Sequence, residues 1–375
     1  MFQVVAISLN PALLSFLNKY CSKHDPRWQL RIFPTIGSYV TAPRNEDQID
    51  LLFFDAHDMI AGLEEKRLVC FMAPLALRVV VTNTNHDDVV LDHLDHFHAF
   101  IGQSVDFEHL TQLFQNAERL QSLPLPALSR RILASFSHYP VYPTISSQLR
   151  EQLADPAVDV ARVARLLEND PVVVSRLMQL VNSPYMGFAS ETLSLEIAVS
   201  RLGMQVVEML VLMLSLKGAP ASVSVAEHHQ VLDQALQFAT ACRSLARESQ
   251  LKRLQQDHVF IAAILGSFGQ LLLLQNGWML DDPQLMADAT DSIRPDTAIA
   301  AYLLTLWGLE QKLVEPLLTQ HQYLEGTEPT VLVSNCLFLA RLTPAQQRTL
   351  PLGIRQQIAC SPFGAPLGLH GQSCT

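Results

Sequence analysis

Residues 166–187 read LLENDPVVVSRLMQLVNSPYMG. The pair Asp170-Pro171 is a helix start. The Asp170 carboxylate can accept from free N–H groups of the first turn, and Pro171 sits where its missing N–H costs nothing. A helix is therefore expected over 171–182. Asn182 and Ser183 then satisfy its carboxyl end or a neighbouring loop.

Working outward from this stretch, nearly every segment toward the C-terminus has helical period. Helices are expected over 129–138, 158–169, 193–202, 205–216, 231–247, 258–275 and 297–307, with Gly203 placed where one should stop. The domain from 131 to 345 is thus all-α. The last stretch, 346–375, is rich in Gly, Pro and Ser near its end and reads as a partly ordered tail. No internal repeat of fixed period is present.

Toward the N-terminus the pattern changes. QSLPLPA (121–127) is proline-rich and marks a linker over 121–130. Before it lie five apolar, strand-like runs: FQVVAIS (2–8), WQLRIF (28–33), IDLLFFD (49–55), ALRVVVT (76–82) and HAFIG (98–102). Helical stretches alternate with them, including NPALLSFLNKYC (10–21) with Pro11 near its start and FEHLTQLFQNAERL (107–120). Strands that are apolar throughout and separated by helices imply a parallel sheet covered on both faces. Five such units in 1–120 fit a flavodoxin-like, doubly wound domain.

Bulk properties narrow the class. The chain has 375 residues, 49% apolar and 17% charged, with a net charge of −10. That composition supports a large core and gives no broad field for nucleic acid or anionic membranes. No run of Lys and Arg offers a local basic patch. Cys21, Cys70, Cys242, Cys336, Cys360 and Cys374 are far apart and form no CxxC pair, which favours free thiols in a reducing cytoplasm. The N-terminus lacks the charge and apolar run of a signal peptide. MLVLMLSL (209–216) and VFIAAILGSFGQLLLL (259–274) fall short of the roughly 18 apolar residues of a spanning helix, so both read as core helices.

The segment from Tyr139 to Gly218 resembles the HDOD family. A Pro-containing entry, YPVYPTISSQL (139–149), leads to Asp155-Pro156. The Asp-Pro helix with its trailing Asn-Ser, Tyr185 and Gly187 follows, and then SLEIAVSRLGMQVVEMLVL (194–212). LLTLWGLEQKLVEPLLTQHQ (303–322) is similar to the family's later helix pair, with Trp307 and His321 in the usual places. Asp155 and Asp170 read as helix caps rather than catalytic acids. The N-terminal region resembles a response-regulator receiver domain. Asp55 stands where the phospho-accepting Asp would be, Thr82 where the switch hydroxyl would be, and Ser8-Leu9 where receivers carry an acidic pair.

Both resemblances imply chemistry that the residues do not support. A receiver needs Mg²⁺ held by carboxylates and a Lys beside the phosphate. Here Leu9 cannot ligate, Ser8 is a weak neutral ligand, and the expected Lys-Pro reads Gln103-Ser104. The HDOD family is related to metal-dependent HD phosphohydrolases, which need a His-Asp dyad and further ligands. Gly266 and Ser267 stand where that dyad would be, Gln234 falls near the first His, and Asp296 lies near another. Only His321 is retained, as a capping or packing residue. The vestigial pocket is therefore Gln234, Gly266, Ser267, Asp296 and His321, with no metal and no cofactor.

His86, His93, His96 and His98, interleaved with aspartates, have spacings compatible with zinc or nickel, but a solvated surface helix is the plainer reading. Nucleotide-binding and hydrolase fingerprints are missing. The expectation is a non-enzymatic, cytoplasmic, bacterial signalling adaptor. Its partners would be signalling proteins such as a sensor kinase, a cyclic-dinucleotide enzyme or a motility regulator, with neither nucleic acid nor membrane insertion involved. The alternative is a module sensing a small molecule or nucleotide in the vestigial pocket. A residual metal-dependent phosphohydrolase is a third class, and the missing dyad weighs against it.

Overall fold

The structure is a computed structural model. It describes the chain except residues 43–48, 56–62, 83–95, 103–106, 135–144, 156, 184–185, 189, 217–224, 276, 278–292, 310 and 370–375. The chain divides into two compact units. The first comprises Met1–His138 with Asn182–Ser190 and Thr305–Gly308. The second comprises Tyr139–Val181, Glu191–Leu304 and Leu309–Thr375.

The first unit is built on a five-stranded sheet of β1 (Phe2–Ile7), β2 (Trp28–Phe33), β3 (Leu51–Asp55), β4 (Leu77–Val81) and β5 (Ala99–Ile101). All pairings are parallel and the order is β2-β1-β3-β4-β5, the flavodoxin-like arrangement read from the sequence. β3 and β4 are buried at every residue, as strands covered on both faces must be. β2 is an edge strand and is less buried, leaving Gln29 and Ile32 exposed.

Helix α1 (Pro11–Lys19) starts as its sequence dictates. The Asn10 side chain accepts from the N–H groups of Ala12 and Leu13, and Pro11 takes the first helical position. α2 (Ile36–Thr41) and α3 (Leu63–Met72) follow. α4 (Phe107–Ser122) buries Leu110, Leu113, Phe114, Ala117 and Leu120, a single stripe at helical spacing. Phe114 anchors it, stacked on Tyr20 at 4.1 Å and edge-on to Trp28 at 4.7 Å.

The proline-rich stretch after α4 is folded. Leu123 and Leu125 are buried, and α5 (Ala127–Ala134) begins two residues later. Arg130 holds the turn: its Nε donates to the Leu125 carbonyl at 2.8 Å and its Nη1 to Gln121 Oε1 at 3.0 Å. Gln121 in turn donates to Asp50 Oδ1 at 2.8 Å, while the Gln3 N–H donates to Asp50 Oδ2. Burial pushes the Asp50 carboxyl pKa up in spite of these donors.

The second unit is helical. Its elements are α6 (Ile145–Leu153), α7 (Val160–Leu167), α8 (Pro171–Val181), α9 (Leu195–Leu202), α10 (Met204–Leu216), α11 (Val225–Glu248), α12 (Arg253–Gly266), α13 (Phe268–Gln275), α14 (Pro295–Leu306), α15 (Gln311–Thr319), α16 (Pro329–Arg341), α17 (Pro344–Thr349) and α18 (Leu352–Ala359). α8 is buried along its whole length, and Asp170, itself fully buried, accepts from the N–H groups of Val172 and Val173. Gly203 ends α9 at φ 80°, a conformation that costs a residue with a Cβ. α11 and α12 form a hairpin whose turn puts Gln250 at φ 56°.

Two expectations change. α12 and α13 run on as an apolar stretch, Arg253–Leu274, of 22 residues, long enough by length and composition to cross a membrane; 72% of its apolar window is buried inside the fold. The tail is more ordered than its Gly and Pro content implies. α18 and the turns after it carry Ile358 and Phe363, both fully buried, and those two side chains tie the segment down. Cys360 is disulfide-bonded, whereas Cys21, Cys70, Cys242 and Cys336 are free thiols. The wide cysteine spacing gave no sign of that bond.

Candidate functional site

The parallel sheet brings the residues after β1, β3 and β4 to one crest, because Ile7 pairs with Phe54 and Asp55 with Val81. Three of the four receiver-like residues meet that description, and all three are buried: Ser8, Asp55 and Thr82. The Ser8 hydroxyl donates to Asp55 Oδ2 at 2.8 Å and accepts the Asn10 N–H at 2.9 Å. The Thr82 N–H donates to the Ile101 carbonyl. Leu9, next to Ser8, is exposed and contributes no ligand. Gln103 lies outside the described residues. Among the described residues the crest holds one carboxylate, already accepting a hydroxyl, and this set does not fit Mg²⁺, which takes several oxygen ligands.

In the helical unit, Gln234 from α11, Gly266 and Ser267 at the α12–α13 junction, and Asp296 at the start of α14 line one cavity of about 530 Å³. His321 is not among its walls. It lies close enough to Arg341, Arg294 and Asp296 to feel their charges. Burial, aided by the two arginines, holds the His321 pKa below its ordinary value, and its Nε2 is buried without a hydrogen-bond partner. Beside the cavity, a Cβ on Gly269 would fall 1.8 Å from the Asp296 carbonyl oxygen. Only glycine lets α13 approach the start of α14 so closely.

Two arginines that sequence reasoning did not single out complete these walls. Arg294 pairs with Asp296 at 3.0 Å. Arg341, at the end of α16, donates to Gln320 Oε1 and lays its guanidinium 4.4 Å from the centre of the Phe238 ring. They stand 47 residues apart and belong to no motif, so no local signal could have joined them.

A second cavity of about 310 Å³ has mixed charge that is internally paired, Arg243 with Glu168 at 3.0 Å and Arg253 with Glu196 at 3.3 Å. Burial raises the pKa of Asp257 there.

The remaining sequence candidates resolve as structural groups. Asp155 does not cap a helix. Its Oδ1 accepts the Ala157 N–H and its Oδ2 pairs with Arg162, while Asp159 caps α7 by accepting the Arg162 N–H. Within the first unit, the Ser183 hydroxyl donates to the Phe100 carbonyl at 2.8 Å. In the histidine-rich stretch, His86 and His93 lie outside the described residues. His98 is buried rather than solvated, because it enters β5 beside β4: its Nδ1 accepts the Arg78 N–H at 3.0 Å. Its Nε2 lies 2.9 Å from Arg78 Nη2. Among the described residues, no group of three or more His, Cys, Asp or Glu side chains is placed to hold a metal ion.

A flavodoxin-like α/β domain with a receiver-like crest, followed by a helical domain, defines the class. Residues 139–323 match the HDOD domain family, and the chain carries an HDOD domain. Among solved structures, the chain is similar to the MmoQ response regulator of Methylococcus capsulatus str. Bath, at 20% identity and a TM-score of 0.45, over 63% of this chain and 95% of that one. It is also similar to a virulence factor of Campylobacter jejuni subsp. jejuni, at 17% identity and a TM-score of 0.46, over 63% of this chain and 90% of that one. Comparison with curated proteins gives no match.

Proposed function

We propose that this protein is a non-catalytic signalling adaptor. Its HDOD domain acts as the output module that a partner protein binds, and its α/β domain is a pseudo-receiver. The observation that carries this reading is the Ser8–Asp55 hydrogen bond at 2.8 Å, formed where a receiver needs a second carboxylate. It is supported by Gly266 and Ser267 at the HD-like position, since neither replaces an imidazole and a carboxylate as ligands. Partners of the expected kind are a sensor kinase, a cyclic-dinucleotide enzyme or a motility regulator. Incubation of the full chain with acetyl phosphate and Mg²⁺ should leave Asp55 unmodified by mass spectrometry, and a phosphodiester substrate should not turn over with added Mn²⁺. Affinity capture from the native host should recover a signalling protein. An acyl-phosphate at Asp55 or Mn²⁺-dependent turnover removes the proposal.

A second reading, a ligand-sensing module, is favoured by one observation. The cavity of about 530 Å³ lies in the size range of small-molecule sites and sets the apolar side chains of Ala235, Phe238 and Ala263 among polar and charged ones.

A further inference from the structure

The cavity lined by Gln234, Gly266, Ser267 and Asp296 has an uneven charge balance. Among the described residues Asp296 is its only carboxylate, and that carboxylate is fully engaged. It accepts from Arg294 Nε at 3.1 Å and Arg294 Nη2 at 3.0 Å, and from the Thr297 N–H at 2.9 Å. Arg341 has no such partner. Its hydrogen bond goes to a neutral amide, and its flat face rests on Phe238. Among the described residues no acid is paired with it, in a chain whose overall charge is −10. Arg341 is exposed, so its charge stands at the cavity wall within reach of a ligand. A fixed, stacked guanidinium on a cavity wall matches a phosphate or carboxylate by shape, and it is already ordered before the ligand arrives.

The remaining walls say which anion. Arg294 is half exposed beyond its bond to Asp296 and can offer a second guanidinium edge. Gln234 and Gln270 add amides, and Ala235, Phe238 and Ala263 add apolar side chains. The volume exceeds what a bare oxyanion fills, and the apolar side chains suit an organic body attached to it. We propose that this cavity binds a phosphorylated small molecule of nucleotide size, its phosphate held by Arg341 and the free edge of Arg294. The inference rests on the ligand-sensing reading and names its ligand class; the adaptor reading does not depend on it.

The test is calorimetry on the full chain at low salt with three probes: AMP, inorganic phosphate and adenosine. AMP should bind, adenosine should not, and affinity should fall as salt rises. AMP at least tenfold tighter than phosphate supports a ligand of nucleotide size, while equal affinities would overturn that size. Arg341→Gln should weaken AMP by about tenfold or more, as loss of a charged hydrogen bond does. Should Arg341→Gln fold poorly by circular dichroism, Gln270→Glu, which keeps shape and adds one negative charge to the wall, should also abolish binding. Binding of adenosine as tight as AMP would overturn the phosphate site and leave ligand sensing standing. No heat with any probe, or AMP binding untouched by both variants, would overturn the inference.

Discussion

The crest of the α/β unit and the cavity of the helical unit are the two places where a related protein would do chemistry, and their polar groups are arranged in opposite ways. At the crest the polar groups have closed on one another. Ser8 donates to Asp55, and Ser8, Asp55 and Thr82 are all buried. In the cavity Asp296 pairs with Arg294, yet open volume remains and Arg341 has no acidic partner among the described residues. A buried site that satisfies itself has no reason to admit a ligand. One that keeps a surplus charge facing a void gains from admitting one.

Substitutions can break this contrast, and the largest effect lies beside the cavity. Gly269→Ala drives a methyl into the Asp296 carbonyl, a backbone atom that cannot turn aside. It should cost about 3 kcal/mol in urea unfolding, the upper end for overpacking. Unchanged stability would mean that α13 and α14 slide freely there.

Ser8→Ala tests the crest. It removes a donor from the buried Asp55 carboxylate, and the loss should be about 1–3 kcal/mol, measured the same way. A smaller loss would mean that water reaches Asp55, which would erase the difference between a closed crest and an open cavity.

Gln250→Gly acts on the hairpin that supplies one cavity wall. It relieves a positive φ at a side-chain-bearing residue and should stabilise by about 1 kcal/mol. A loss of stability would show that the Gln250 side chain contributes more than its strain costs.

The smallest effect is a pH slope in the helical unit. Burial holds His228 and His321 below the ordinary value of 6.5. The unfolded chain therefore takes up protons that the folded one refuses, so stability is full above that value and falls as pH drops beneath it. His321→Gln should remove part of this slope in melts between pH 7.5 and 5.5, and an identical slope would place His321 in water.

Much of the fold was readable from local pattern. The five strands lie within the five apolar runs, since strands covered on both faces must be apolar throughout. Asp170 caps α8 and Gly203 ends α9 as their chemistry requires. The capping role read at Asp155 falls instead to Asp159, because the chain turns once more before α7 begins. The proline-rich 121–130 stretch looked like an open connection, yet it is held by Arg130, Gln121 and Asp50, whose partnership spans 80 residues of sequence. At the candidate site, sequence could list what was missing at Gln234, Gly266 and Ser267. It could not find Arg341, whose importance lies in what it faces.

By itself, then, the amino-acid sequence determined which segments are strands and helices and which residue types stand at the receiver-like and HD-like positions, because periodicity, caps and side-chain chemistry are local properties. Whether the leftover polar groups neutralise each other or stand open was decided only by tertiary structure. That outcome depends on distances of a few ångströms between residues remote in the chain, such as Ser8 to Asp55 and Phe238 to Arg341, and on a glycine that lets two helix ends meet.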